Sequence, residues 1–303
     1  MKRSNVVDGK KWIDRFNINK DGYIKYFFKK LFGLYNNKNI AIFVSARDKS
    51  TRLKNKEFKR LTCHCGDTVI DYILNRLLCC FCSSTPISSI PIVLCTSYYK
   101  DDYKFFDIDT VNDKARFKNK NNCGIAVYAG HPDDKLDRYY SCMEYFGLDG
   151  AIIIDGDNLF TSFGAIKYTY DKLQEGFEYV YSNYNEVPDG LYCYGISKKS
   201  LEAVMVNKNS SDTEVWGHLF KGKFYENEYI FPYKFDDRLR LTLDYEEDFD
   251  FFNIILDACV SVYNIDVPQI LNILTDNEDL YSINCGKIDE YKERLNEIKE
   301  RTN

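Results

Sequence analysis

Four short apolar runs set the limits on how this chain can fold: IAIFV (40–44), PIVLCTS (91–97), GIAVYAG (124–130) and AIIIDGD (151–157). Each reads as a buried strand, and helical patterns separate them. Asp67 is placed to cap TVIDYILNRLLCCF, where Val69, Ile70, Ile73, Leu74, Leu77 and Leu78 recur at helical spacing. DDKLDRYYSCMEYFG forms a second helix, ended by Gly147. Strand, helix and strand in this order predict a doubly wound α/β fold, its mostly parallel sheet covered on both faces.

The rest of the chain is less regular. FEYVYSN (177–183), LYCYGIS (191–197) and RLRLTLDY (238–245) read as strands, with a PDG turn at 188–190 and a short helix at KKSLEAVMV. A helix is expected from about Glu246 to Tyr263, and two more near 267–275 and 287–301. These boundaries divide the chain into an N-terminal helical extension (1–38), a central domain (39–265) and C-terminal helices packed on it (266–303). Within the extension, GYIKYFFKKLFGLY is a basic amphipathic helix, expected to dock on its own domain or a second subunit rather than a membrane.

A net charge of −5 over 303 residues gives no general attraction to nucleic acid, so any anion site must be local. No apolar run is long enough to span a bilayer, and MKRSNVVDGKKW lacks the apolar core of a signal peptide, so a cytoplasmic protein is expected. The 11 cysteines lie mostly in apolar segments, which suits reduced, buried thiols. Cys63, His64, Cys65, Cys79, Cys80 and Cys82 do not form the two tidy ligand pairs of a structural zinc site.

The local anion site follows the first strand. Seven of the fourteen positions from 47 to 60 are basic, at the carboxyl end of a strand, where open α/β sheets hold their ligands. A polyphosphate is the first ligand to expect. Two acidic clusters accompany the loop. AIII ends on Asp155, Gly156, Asp157 and Asn158, and clustered carboxylates at a strand tip cost free energy unless a cation joins them. The same residues also suit a helix cap and turn. RLRLTLDYEED likewise delivers Asp244 ahead of Glu246, Glu247 and Asp248, acids that suit a first helical turn by charge alone. Acids for a metal and bases for phosphates form the layout on which a magnesium-bound nucleoside triphosphate reacts.

SARDKSTRLKNK resembles the ARxxSxRLPGK signature of the cytidylyltransferases that activate sugars as CMP derivatives. These include the 3-deoxy-manno-octulosonate, acylneuraminate and spore coat polysaccharide types, the last being the nearest in pattern. Arg47, Ser50, Arg52, Leu53 and Lys56 fall at matching positions. GHPDDKLDRYY is similar to the G-x-x-x-D-x-L-x-R-Y segment through Gly130, Leu136, Arg138 and Tyr139. DGDNLF resembles GDNPL, VPDGLYCYGISKKSLEAV resembles the P-x-G-L strand and helix, and RLTLDYEEDF resembles RLTVDTPEDF. The motifs run in order from about 40 to 257. Departures occur at Lys54-Asn55, Leu159, Tyr194, and Tyr245 with Glu246.

The resemblance implies a Rossmann-like nucleotidyltransferase, similar to the glycosyltransferase-A fold, that moves CMP from CTP to a sugar acid or phosphorylated acceptor and releases pyrophosphate. Surface polysaccharide or glycoconjugate synthesis is the implied setting. Arg47, Arg52 and Lys56 would act on the triphosphate and the leaving pyrophosphate, with backbone amides near Ala46 helping. Ser45, Ala46, Ser50, Thr96 and Asp157 would complete the nucleotide site. Asp157 and Asp244 would bind magnesium or manganese, and Arg138, Tyr194 and Arg240 would face the acceptor. Small-molecule substrates, no nucleic acid and a homodimer are expected. One competing reading is a metal-dependent glycosyltransferase with Asp155-Gly156-Asp157 as its D-x-D motif; another is a non-catalytic nucleotide-binding protein.

Overall fold

The structure, a computed structural model, describes residues 38–48, 50, 52–63, 65–80, 90–111, 125–183 and 185–302. The expected N-terminal amphipathic helix lies outside them. The strands are β1 (Ile40–Ser45), β2 (Ile92–Ser97), β3 (Ile125–Gly130), β4 (Gly150–Asp155), β5 (Tyr179–Tyr181), β6 (Tyr194–Ser197) and β7 (Glu226–Glu228). They form one sheet in the order β3-β2-β1-β4-β6-β5-β7. The first four are parallel, with Phe43 of β1 opposite Val93 and Ile153. β6 runs antiparallel to both β4 and β5, and β7 pairs parallel with β5, so β5 and β7 return to the direction of the first four strands.

Strand geometry explains why the central runs are apolar throughout. Ile40, Ile42 and Val44 enter one core with Ile152 and Ile154, while Ala41 and Phe43 enter a second with Ala151 and Ile153. Helices α1 (Val69–Cys80), α4 (Phe163–Glu175), α6 (Glu246–Asp257) and α7 (Val267–Asp276) contribute to the first core. α3 (Lys135–Phe146) and α5 (Lys198–Asn207) contribute to the second. α2 (Phe105–Val111) precedes β3, and α8 (Ile288–Thr302) closes the described chain. Each fully buried Ile, Val, Leu or Phe side chain contributes about 1.5–3 kcal/mol, so the double core anchors the carboxyl ends of β1 and β4 rigidly.

Several expected elements differ. Thr68, not Asp67, caps α1: its hydroxyl accepts from the Asp71 amide at 3.2 Å, while the Asp67 carboxylate accepts from Asn75 and Tyr263, each at 2.7 Å. The strand expected at 238–245 does not form: Arg238 lies in a turn, Thr242 in a bend, and the Leu241 and Leu243 amides donate to the loop carbonyls of Asp189 and Asp157. The helix expected to reach Tyr263 ends at Asp257, followed by a separate turn at Val262–Asn264. α4 and β7 were given by no clear pattern.

Candidate active site

A cleft of about 250 Å³ opens where β1 and β4 end. Ser45, Ala46 and the basic loop form one side, and the Asp155–Asn158 turn forms the floor. This turn is tight because Gly156 donates its amide to the Ser45 carbonyl at 2.8 Å, and a Cβ there would meet the Ala46 Cβ at 2.7 Å. Close packing of two strand ends therefore accounts for the glycine. The flanking carboxylates have different partners: Asp155 accepts from Lys135 at 3.1 Å, and Asp157 from Lys56 at 2.7 Å.

Lys56 is at the centre. Only 7 % exposed, it donates to Asp157, to Asp244 at 3.0 Å and to the Leu243 carbonyl at 2.9 Å. Burial opposes its charge, but Asp157 and Asp244 outweigh burial and hold the ammonium well above the ordinary lysine range. Burial raises the Asp157 carboxyl, the nearby Asp244 and Asp155 charges add to this, and Lys56 opposes them. Asp244 goes the other way. Burial is outweighed there by Lys56, Arg52 and Arg240, which hold it well below the carboxylate range.

Asp244 is fixed from behind. Asp248, wholly buried in the first turn of α6, accepts from the Asp244 and Tyr245 amides at 2.9 and 3.0 Å. Arg240 donates to Asp248 at 2.9 Å and to Asp244 at 3.1 Å. The acid that charge alone would assign to the helix dipole thus positions a cleft carboxylate, and Arg240 is engaged by these acids.

The remaining expected residues separate by environment. Arg47 lines the cleft and pairs with Glu214, and it also donates to the Pro132 carbonyl at 2.7 Å. Arg52 pairs with Asp244. The Ser50 hydroxyl accepts from the Leu53 amide at 3.3 Å and turns the loop. The Ala46 amide is taken by the Cys95 carbonyl at 3.1 Å, so it is not among the donors left for a phosphate. Thr96 is buried in β2 outside the cleft lining, and its hydroxyl has no partner among the described residues. Arg138 lines the cleft, fully buried, and none of its three guanidinium nitrogens makes a hydrogen bond there. Tyr194 lines the cleft with Trp216, their ring centroids 4.9 Å apart.

Sequence reasoning missed Lys135, Glu214, Glu57, Tyr291 and Arg294, all of which line the cleft. Lys135 was visible within the KLDRYY segment. Glu214 carried no signal: its loop is placed by Thr213, which donates to Asp134 and accepts from the Leu136 amide at the start of α3.

Six bases line the cleft: Arg47, Arg52, Lys56, Lys135, Arg138 and Arg294. Six acids offset them: Glu57, Asp155, Asp157, Asp189, Glu214 and Asp244. A nearly neutral cleft takes up a polyanion best together with a cation. The described residues contain no group of three or more His, Cys, Asp or Glu side chains able to hold a metal alone. Asp157 and Asp244 nevertheless fit a divalent cation that takes its other ligands from outside the chain, since both already converge on the charge of one ammonium.

Comparison with solved structures places this architecture. A cytidylyltransferase from Leptospira borgpetersenii superposes with a TM-score of 0.67 at 18% identity, covering 80% of this chain and 97% of that one. The chain has the same fold as that cytidylyltransferase. CMP:2-keto-3-deoxy-manno-octonic acid synthetase, solved with CTP, shares it at a TM-score of 0.51 and 10% identity, over 72% of this chain and 98% of that one. In sequence, an uncharacterized protein of Methanocaldococcus jannaschii is 27% identical over 252 residues, 80% of this chain and 93% of the relative. No family model matches. Among the described residues, no helix is long and apolar enough to cross a membrane.

Proposed function

We propose that the protein is a cytidylyltransferase that moves CMP from CTP to an anionic acceptor, a sugar acid or a phosphorylated compound, and releases pyrophosphate. One observation carries this reading: the Arg52 and Lys56 cations and the Asp157 and Asp244 carboxylates meet as one interlocked group at the ends of β1 and β4. A nucleotide-sugar glycosyltransferase has no need of the basic loop. The divergence of Asp155 toward Lys135 and Asp157 toward Lys56 also disfavours a shared D-x-D pair.

The acceptor oxygen attacks the α-phosphorus in line, and the bond to the bridging oxygen of pyrophosphate breaks. Arg47 and Arg52 hold the β- and γ-phosphates and, with the charge of Lys56 behind them, stabilise the charge that develops on the leaving group. Asp157 and Asp244 would hold magnesium or manganese, which when bound supplies neutralising charge to the phosphates. Asp248 and Arg240 keep Asp244 aimed. Arg138 offers its unpartnered donors to substrate from the buried side, and Tyr194 forms an aromatic wall with Trp216 for the acceptor. An acceptor already ionised as a carboxylate or phosphate needs no general base.

The test is a thermal-shift series with CTP, UTP, ATP and GTP plus magnesium, followed by pyrophosphate release against a panel of sugar acids and phosphorylated acceptors. CTP should stabilise most, and release should depend on an anionic acceptor. Equal shifts for all four nucleotides would reduce the cleft to a general triphosphate site.

A further inference from the structure

We propose that Arg294, on the C-terminal helix, binds the two terminal phosphates of the nucleotide and the departing pyrophosphate, an inference that rests on the nucleotidyl-transfer reading above. Nothing in the 40–257 pattern points to α8, yet it forms a side of the cleft. Tyr291, Arg294, Leu295 and Ile298 all line it, and their spacing of three, four and seven places them on one helical stripe. The amino end of α8 is anchored. The Tyr291 ring centroid lies 4.5 Å from the Arg240 guanidinium, and Lys287 lies 3.4 Å from Glu247 of α6.

Charge pairing singles out Arg294. Arg47 pairs with Glu214, Arg52 with Asp244, Lys56 with Asp157 and Asp244, and Lys135 with Asp155. Arg294 is half-buried in the same cleft but makes no hydrogen bond or ion pair among the described residues. A partly desolvated guanidinium without a counter-charge is costly, and an oxyanion that enters the cleft removes the cost. Arg138 is also unpartnered but lies wholly buried. Arg294 is one turn from Tyr291, which packs on Arg240, which in turn holds Asp244. This sequence of contacts places the stripe beside the end of the cleft where Arg52 and Lys56 meet Asp244. The ligand expected there is a polyphosphate rather than a nucleobase.

Isothermal titration of the full chain with CTP, CMP and pyrophosphate, each with magnesium, tests the assignment. Arg294→Ala should weaken CTP and pyrophosphate roughly tenfold or more, the scale of one charge-assisted hydrogen bond. CMP lacks both terminal phosphates and should bind this variant as it binds wild type. Arg294→Lys should recover part of the loss, and Glu293→Ala, exposed on the same helix, should change nothing. Wild-type binding of CTP that Arg294→Ala leaves intact, or an equal loss for CMP, overturns the assignment alone. A wild-type chain that binds neither CTP nor pyrophosphate overturns the nucleotidyl-transfer reading together with it.

Discussion

The Lys56 ammonium donates to Asp157 at 2.7 Å and to Asp244 at 3.0 Å, so one side chain holds two carboxylates at the centre of the cleft. Lys56→Met should leave Asp157 without a counter-charge beside Asp244, which keeps Arg52 and Arg240. Removing one partner of a buried ion pair costs about 3–5 kcal/mol. Urea denaturation in the absence of divalent cations should show a loss of that order, and a variant as stable as wild type would remove Lys56 from this role. Asp157→Asn, which relieves repulsion as well as breaking the pair, should lose less.

Asp155 and Asp157 should separate in kinetics. Asp157→Asn and Asp244→Asn are expected to reduce pyrophosphate release by at least about a hundredfold, the scale of losing one electrostatic contact to a reacting group. Asp155→Asn, which disturbs a pairing with Lys135, should cost about tenfold or less. Equal losses for Asp155→Asn and Asp157→Asn would return the D-x-D reading to favour.

Glu57 supplies a pH dependence. Its side chain is 3 % exposed, one carboxylate oxygen has no hydrogen-bond partner, and burial, opposed by Lys56, pushes its pKa up to about 7. An acid raised on folding binds more protons in the native state, so stability should fall as pH rises from the ordinary glutamate range through about 7. Glu57→Gln should therefore stabilise the chain at pH near 8, by an amount on the order of 2–3 kcal/mol, and do little near pH 4. Denaturant midpoints for both proteins at the two pH values give the measurement; a constant difference between them would refute it.

Gly190→Ala should be severely destabilising. The residue has φ +101°, and an added Cβ would lie 1.8 Å from the Leu241 carbonyl oxygen. The segment that carries Asp244 would be pushed from its place. A loss of more than about 4 kcal/mol, or failure to fold, is expected; a wild-type melting temperature would contradict the local geometry.

Legibility in the sequence followed the distance over which each feature is encoded. The four central strands were visible because burial on both faces makes them continuously apolar. The Leu239, Leu241 and Leu243 alternation correctly marked buried positions, yet their backbone pairs with loops: alternation reports which side faces the core, not which partner takes the amides. α4 escaped notice because its buried stripe of Ala165, Ile166, Thr169 and Leu173 is short and mixed in polarity. In the site, Arg47, Arg52 and Lys56 lie within one contiguous segment and could be read together. Glu214, Tyr291 and Arg294 reach the same cleft from remote parts of the chain, and no local pattern marks a residue whose role depends on tertiary placement.

The reversal of β6 determines how this molecule can change. Because β6 runs against β4, the end that meets the Asp155 rim is the strand's entrance: Tyr194 opposes Ile153, and the segment leading into it carries Asp189 and Tyr192 into the cleft. The floor that holds Asp155 and Asp157 is made by chain leaving β4, whereas the Tyr192–Tyr194 side is made by chain arriving at β6. Side-chain changes at Tyr192 or Tyr194 can therefore reshape that side while the β1–β4 junction stands, whereas the backbone of the arriving segment is fixed, because Gly190 packs on the Leu241 carbonyl and the Asp189 carbonyl takes the Leu241 amide.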